Sequence, residues 1–229
     1  DWSSDVCSSD LPEVEAYVPI DVSAAALQGA ERRLAARFPR LGVRPIAADF
    51  TQPVDLPTDL AGRPKVGFFP GSTIGNFEPR AARRLLAHFR KTLGDGSRLI
   101  LGVDLVKDEA TLLKAYNDAA GVTAAFNLNL LARINRTFGH TFDLGAFSHA
   151  AIYNRQRARI EMHLVSRRAQ TVRLLGRTLR FASGETIHTE NSHKYTRSGI
   201  QCLALSAGWR PGRLWTDAAG LFCVSEMTA

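Results

Sequence analysis

Cysteine is scarce. Cys7, Cys202 and Cys223 are the three in 229 residues, and no two stand in a CxxC spacing. That excludes a disulfide framework and a cysteine zinc knuckle, and it fits a reducing, cytoplasmic setting. Long apolar runs are missing too. None approaches the roughly 18 residues a bilayer-crossing helix needs, so no membrane partner is expected. The sequence has no GxxxxGK[ST], no HExxH and no GxSxG. A phosphate loop, a helical zinc site and a serine-nucleophile elbow are therefore not indicated. Acidic residues are outnumbered, 22 against 29 basic ones, for a net charge of +7.

The opening DWSSDVCSSD has neither strand alternation nor a helical stripe. It also lacks the basic start and apolar core of a signal peptide. With Leu11 it resembles the translation of a sequencing-library adapter. Residues 1–11 are accordingly expected to be an artefact, with Pro12 the first genuine residue and native chain continuing upstream of it. Without Asp1, Asp5 and Asp10 the acidic count is nineteen and the net charge +10. Such a charge raises nucleic-acid binding as an option. The arginines, however, are scattered through alanine-rich helical segments (ERRLAARFPR, PRAARRLLAHFRK) and an amphipathic stretch (NRQRARIEMHLVSRR). None is interleaved with exposed aromatics, so solvated faces are expected and no nucleic-acid partner.

What is present is an alternation of strand and helix. VEAYVPID predicts a strand ending at Asp21, and Ser23 caps a helix over Ala24–Phe38. VRPIAA is a second strand, ending at Asp49-Phe50, and KVGFF a third. Pro79 begins a helix to about Leu93. SRLILGVDLV is a fourth strand carrying Asp104. Strands separated by helices or long crossovers predict a doubly wound parallel sheet, whose ligands sit at the carboxyl ends of the strands. From Lys107 the rhythm changes to helices split near Gly121. Several antiparallel strands follow over 147–187, then a helix in SGIQCLALSAGW and a last strand, LFCVSEM. The change suggests an added lobe over the mouth of the sheet.

The strand ends hold the candidate site residues. A carboxylate such as Asp21 suits ribose hydroxyls, and Asp49 beside Phe50 suits an adenine edge; a cap and a core ring are the plainer readings. Asp104 either orients a loop or closes one. In GSTIGN, Gly71 and Gly75 permit close backbone approach, while Ser72, Thr73 and Asn76 bring short polar groups to a cavity. His188 and His193 stand five apart with no third ligand nearby, since His140, His149 and His163 are scattered; no metal is expected. Glu190 and Ser192 point the same way if that stretch is extended, and a carboxylate beside a hydroxyl suits a ring N–H.

FFPGSTIGNF with its following Pro, GVDLVKD, LLKAYNDAAGVTAAFNLNLL, RIEMHLVS and TENSHKY occur in this order. Together they resemble the histidine-specific Nα-methyltransferases of ergothioneine synthesis, from Pro12 to about Gly220. The resemblance implies a class I, Rossmann-like S-adenosylmethionine (SAM) sheet with an inserted α+β substrate lobe. It implies three methyl transfers to the α-nitrogen of L-histidine, giving hercynine. Asp21 then matches the ribose carboxylate, Asp49 and Phe50 the adenine contacts, and Gly71 belongs to the cofactor side. Asn76 and Tyr116 match the groups that hold the substrate's carboxylate and backbone end. Glu190 and Ser192 match the imidazole grip, and Met162 a residue packed at the ring pocket. No catalytic base is assigned.

On this reading residues 12–106 are a partial SAM sheet, 107–194 the substrate lobe and 195–229 the return to the sheet. The family's glycine-rich loop does not occur after Pro12, so the first, central strand is expected to lie upstream. CVSEMTA also departs from the final strand the family leads one to expect. The 229-residue product is expected to be monomeric, poorly soluble and inactive by itself. The competing readings are an α-N-methyltransferase for another aromatic amino acid, a non-catalytic module of the same fold, and a nucleic-acid methyltransferase. The last lacks its Asn-Pro-Pro-aromatic signature.

Overall fold

A computed structural model describes residues 14–139 and 141–229. The adapter reading of 1–11 and the placement of His140 fall outside them. The chain opens with two very short strands, β1 (Ala16–Tyr17) and β2 (Ile20–Asp21), followed by helix α1 (Ala24–Arg37). Ser23 caps α1, its Oγ accepting from the Ala26 amide at 3.2 Å. Strands β3 (Gly42–Val43) and β4 (Ile46–Ala47) come next. They pair in parallel with β1 and β2 respectively. The single strands expected over 14–21 and 43–48 are each interrupted. Pro19 and Pro45 sit at the breaks, where a missing N–H ends the ladder.

Strand β5 (Val66–Phe69) runs parallel to β6 (Arg98–Asp104), with helix α2 (Pro79–Leu93) between them. The chain returns to this sheet at its far end. Helix α5 (Arg197–Ser206) leads to β12 (Arg210–Thr216) and β13 (Phe222–Thr228), and β13 lies antiparallel to β6. The order is β12-β13-β6-β5. Leu85 and Leu86 of α2, Leu99, Leu101 and Val103 of β6, Ile200 of α5 and Trp209 form its core. Each fully buried leucine contributes on the order of 1.5–3 kcal/mol. The Trp209 indole N–H also finds a partner, the Leu86 carbonyl at 2.8 Å.

The β2–β4 and β1–β3 pairs make no ladder to β5, so among the described residues the parallel strands do not form one continuous sheet. What holds the two parts together is the chain after β4. Phe50 packs on Phe69 at 5.7 Å between ring centroids, and Thr92 Oγ1 accepts from the Val54 amide at 3.0 Å. On the opposite side of β5, Val66 and Phe68 are 65% and 69% exposed.

Between β6 and α5 lies the lobe: α3 (Glu109–Tyr116), α4 (Val122–Phe138), β7 (Phe147–Asn154), β8 (Arg159–Ser166), the β9 (Gln170–Leu174) and β10 (Arg177–Phe181) hairpin, and β11 (Thr186–His193). Its antiparallel sheet has the order β11-β8-β7. The lobe is stitched to the main sheet just past β11. The Tyr195 amide donates to the Asp104 carbonyl at 3.0 Å, and the Val106 amide donates back to the Tyr195 carbonyl at 3.0 Å. No described helix is long and apolar enough to cross a membrane.

Candidate active site

The turn after β5 is wedged between two strands, and that explains its composition. Ser72 adopts a left-handed conformation, φ 60°, and its Oγ accepts from the Asp104 amide at 2.9 Å. The hydroxyl thus fixes the turn to the tip of β6. Gly75 lies against β11, where a Cβ would stand 2.8 Å from the His193 carbonyl oxygen. Gly102 does the same on β6, its missing Cβ 2.9 Å from the Gly71 nitrogen. Gly71 itself has φ +74° and open space where a side chain would go.

A cavity of about 290 Å³ opens above this turn, lined by Gly71, Ser72, Thr73, Asn76, Asp104, Tyr116, Glu190, Ser192 and Phe222. That is near the lower end of the roughly 300–1,000 Å³ typical of small-molecule sites. Eight residues singled out in the sequence meet here from four segments: Gly71, Ser72, Thr73 and Asn76 from the turn, Asp104 from β6, Tyr116 from α3, Glu190 and Ser192 from β11. The TENSH run is a strand, as the pairing of Glu190 with Ser192 required. A register irregularity between His188 and Glu190 precedes the pair.

Tyr116 is aimed by its neighbours. Asn117, which ends α3, donates to the Ala151 carbonyl and accepts from the Ala151 amide, both at 3.0 Å. That clamps α3 on β7. His149 of β7 holds the Tyr116 carbonyl at 2.8 Å through Nε2, while its Nδ1 lies 2.9 Å from the Asn127 side-chain amide. A neutral ring protonated on Nε2 satisfies both contacts, so His149 is structural. Burial pushes the Glu190 carboxyl above its ordinary value, partly offset by an Asn76 hydrogen bond. An N–H-bearing or cationic ligand would relieve that cost.

Sequence reasoning missed Lys194. Its side chain is fully buried and forms an ion pair with Asp104 Oδ2 at 2.7 Å. The ammonium also donates to Tyr116 Oη at 2.9 Å and to Ser192 Oγ at 2.8 Å. Lys107 holds the other Asp104 oxygen at 2.5 Å. A buried lysine stands at the end of TENSHK with no spacing signal, because its partners come from α3 and β6.

Met162 does not line the cavity. It is buried with Leu112, Ala151 and Ile160, with Tyr116 packed against that cluster. The strand's alternation turns it into the lobe core, so its part in any ring pocket is indirect. Asp21, Asp49 and Phe50 stand apart from the cavity, at the tips of β2 and β4. Each carboxylate has one oxygen fixed by a turn amide: Asp21 by Ser23 at 2.7 Å, Asp49 by Thr51 at 2.9 Å. The Thr51 hydroxyl and amide together hold the Asp49 carboxyl below its ordinary value. Phe50 serves the core contact with Phe69.

Among the described residues one group has metal-ligand composition: Glu161, His163 and His188, with ligand atoms within 4.8 Å of one another. His163 and His188 stack at 4.7 Å. Arg159, however, holds Glu161 from Nε at 2.8 Å and from Nη2 at 2.7 Å. This guanidinium already neutralises the carboxylate a cation would need.

The model of the histidine-specific, SAM-dependent methyltransferase family matches residues 7–229. This chain belongs to that family. It is 40% identical to a histidine N-alpha-methyltransferase of Mycolicibacterium smegmatis over 222 residues, covering 94% of this chain and 67% of that protein. It is 37% identical to one of Mycobacterium tuberculosis over 212 residues, covering 91% of this chain and 65% of that protein. The chain thus spans about two thirds of the length of these curated relatives. Among solved structures, a SAM-dependent methyltransferase from Clostridium acetobutylicum aligns with 92% of this chain and 74% of its own, at 9% identity and a TM-score of 0.49. So loose a likeness carries no weight of its own. Parallel β5, β6 and β12, with β13 alone antiparallel between β6 and β12, are the sheet of a class I, Rossmann-like methyltransferase, and the cofactor of the family is SAM.

Proposed function

We propose that the protein methylates the α-amino nitrogen of L-histidine, three times in succession, to give hercynine. The observation that carries this reading is the convergence of Asn76, Tyr116, Glu190 and Ser192 on one cavity. Glu190 is the acceptor for an imidazole N–H, and its buried carboxylate disfavours a ring without one. Asn76 and Tyr116 supply donors for the amino acid's carboxylate. Tyr116 Oη and Ser192 Oγ lie 2.8 Å apart, so the two hydroxyls act as one unit rather than at opposite ends of the substrate. Fixing both ends of a small molecule near an electrophile at roughly 3–3.5 Å supplies on the order of 7–11 kcal/mol of a transfer barrier.

Asp21 and Asp49 fit the ribose and adenine of SAM, since a turn amide fixes each carboxylate just past the tip of its strand. Gly71 leaves open space at the wall of the cavity. When bound, SAM supplies an electrophilic methyl group on sulfur. Asp104 lines the cavity, but each of its oxygens is already held by an ammonium group, so it is not assigned as a base. The α-amine is delivered neutral by exchange with water.

The division of the sheet supports a further point. A strand between β2 and β5 would join the two parallel parts and pair the edge of β5 that has no partner among the described residues. We infer that the complete protein has one there, carrying the loop that wraps the methionine end of SAM. The direct test is incubation of the protein, with that strand supplied, with SAM and a panel of free amino acids. Hercynine from histidine alone supports the reading, and transfer to tryptophan or tyrosine at comparable rates refutes the specificity.

A further inference from the structure

We propose that Lys194 is a positioning residue that makes the Tyr116–Ser192 pair a carboxylate-selective subsite. The proposal rests on the reading of the cavity as an amino-acid site and adds a residue to it. An ammonium has three N–H groups. Those of Lys194 have three acceptors at hydrogen-bond distance: Tyr116 Oη, Ser192 Oγ and Asp104 Oδ2. The two hydroxyls therefore accept from below, and one must donate to the other across their 2.8 Å contact. That leaves a single hydroxyl proton with no protein acceptor among the described residues, and both hydroxyls belong to residues that line the cavity.

The subsite thus presents a free O–H donor, with a positive charge directly behind it. Lys194 and Lys107 against Asp104 carry a formal net charge of +1. The ammonium also lies 4.6 Å from the Tyr116 ring centroid, which holds the ring as well as its oxygen. Glu190, also on the cavity wall, carries the opposite charge. A ligand with a carboxylate and a ring N–H satisfies both. Lys194 does not line the cavity, so it acts through Tyr116 and Ser192.

The test is calorimetric titration of the whole chain with L-histidine and with histamine, which keeps ring and amine but lacks the carboxylate. The wild type should prefer histidine. Lys194→Met should lose about ten- to a hundredfold in histidine affinity, the worth of a charge-assisted contact, with histamine affinity unchanged. Retained histamine binding shows that the pocket is folded. Should Lys194→Met bind neither ligand, Lys194→Gln, which keeps an N–H donor without the charge, is read by the same ratio. An unchanged histidine-to-histamine ratio in a variant that binds both overturns the proposal while the function stands. Equal wild-type affinities do the same, and so does loss of both ligands in both variants, which would make Lys194 purely structural. A wild type that binds neither ligand refutes the amino-acid reading of the cavity itself.

Discussion

Glu190 is the residue where function and stability pull apart. Burial holds its carboxyl above the ordinary 4.5, so the folded chain binds that proton more tightly than the unfolded chain. The stability it contributes is complete below 4.5 and is lost as pH rises through the elevated value. Glu190→Gln removes the ionisable group and should raise the melting temperature at pH 7, with the gain vanishing below 4.5; thermal melts across pH check this. The same substitution should abolish histidine binding. In the wild type, affinity should fall as pH drops through the raised value, because only the ionised carboxylate accepts from a ring N–H. The pairing of Glu190 with Ser192 is legible in the sequence because strand periodicity is local. Lys194 is not, because its role comes from contacts with Asp104 and Tyr116, which the chain brings together only on folding.

At the scale of elements, the site depends on how tightly the turn after β5 is held between β6 and β11. Gly75→Ala sets a methyl 2.8 Å from the His193 carbonyl oxygen, and backbone cannot move aside cheaply. It should cost about 1–3 kcal/mol in urea denaturation and open the cavity between turn and lobe. The lobe has its own acid sensitivity. Burial pushes both His163 of β8 and His193 of β11 below the usual 6.5. Each favours the folded state while neutral, a contribution complete above 6.5 and lost as pH falls through the depressed value. Hydrogen exchange should therefore show β8 and β11 opening before β6 and α2 on acidification. The elements that sequence pattern placed well are those with clean periodicity: α1, α2, β6 and the lobe strands. Strand β12 escaped because Pro211 and Gly212 look like a turn. It is an edge strand with a register irregularity between Pro211 and Leu214, where both residues are tolerated.

For the molecule as a whole, the divided sheet decides what this length of chain can do alone. Among the described residues β5 has no strand on its outer edge, and Val66 and Phe68 are exposed on one of its faces; both invite association with other chains. The 229-residue chain should show no micromolar SAM binding by calorimetry, and its association state should rise with concentration. Supplying the strand that fits between β2 and β5 should reverse both. The αβ alternation made the class of sheet legible, and the absent glycine-rich loop raised the expectation of a missing central strand; which strands fail to pair is visible only in three dimensions. The measurement that bears most directly on the account is mass spectrometry of histidine incubated with SAM and the strand-completed protein, wild type beside Glu190→Gln. Stepwise appearance of mono-, di- and trimethylated α-nitrogen with the wild type alone is the expected result. Methylation on the imidazole ring, or equal turnover by Glu190→Gln, would contradict it.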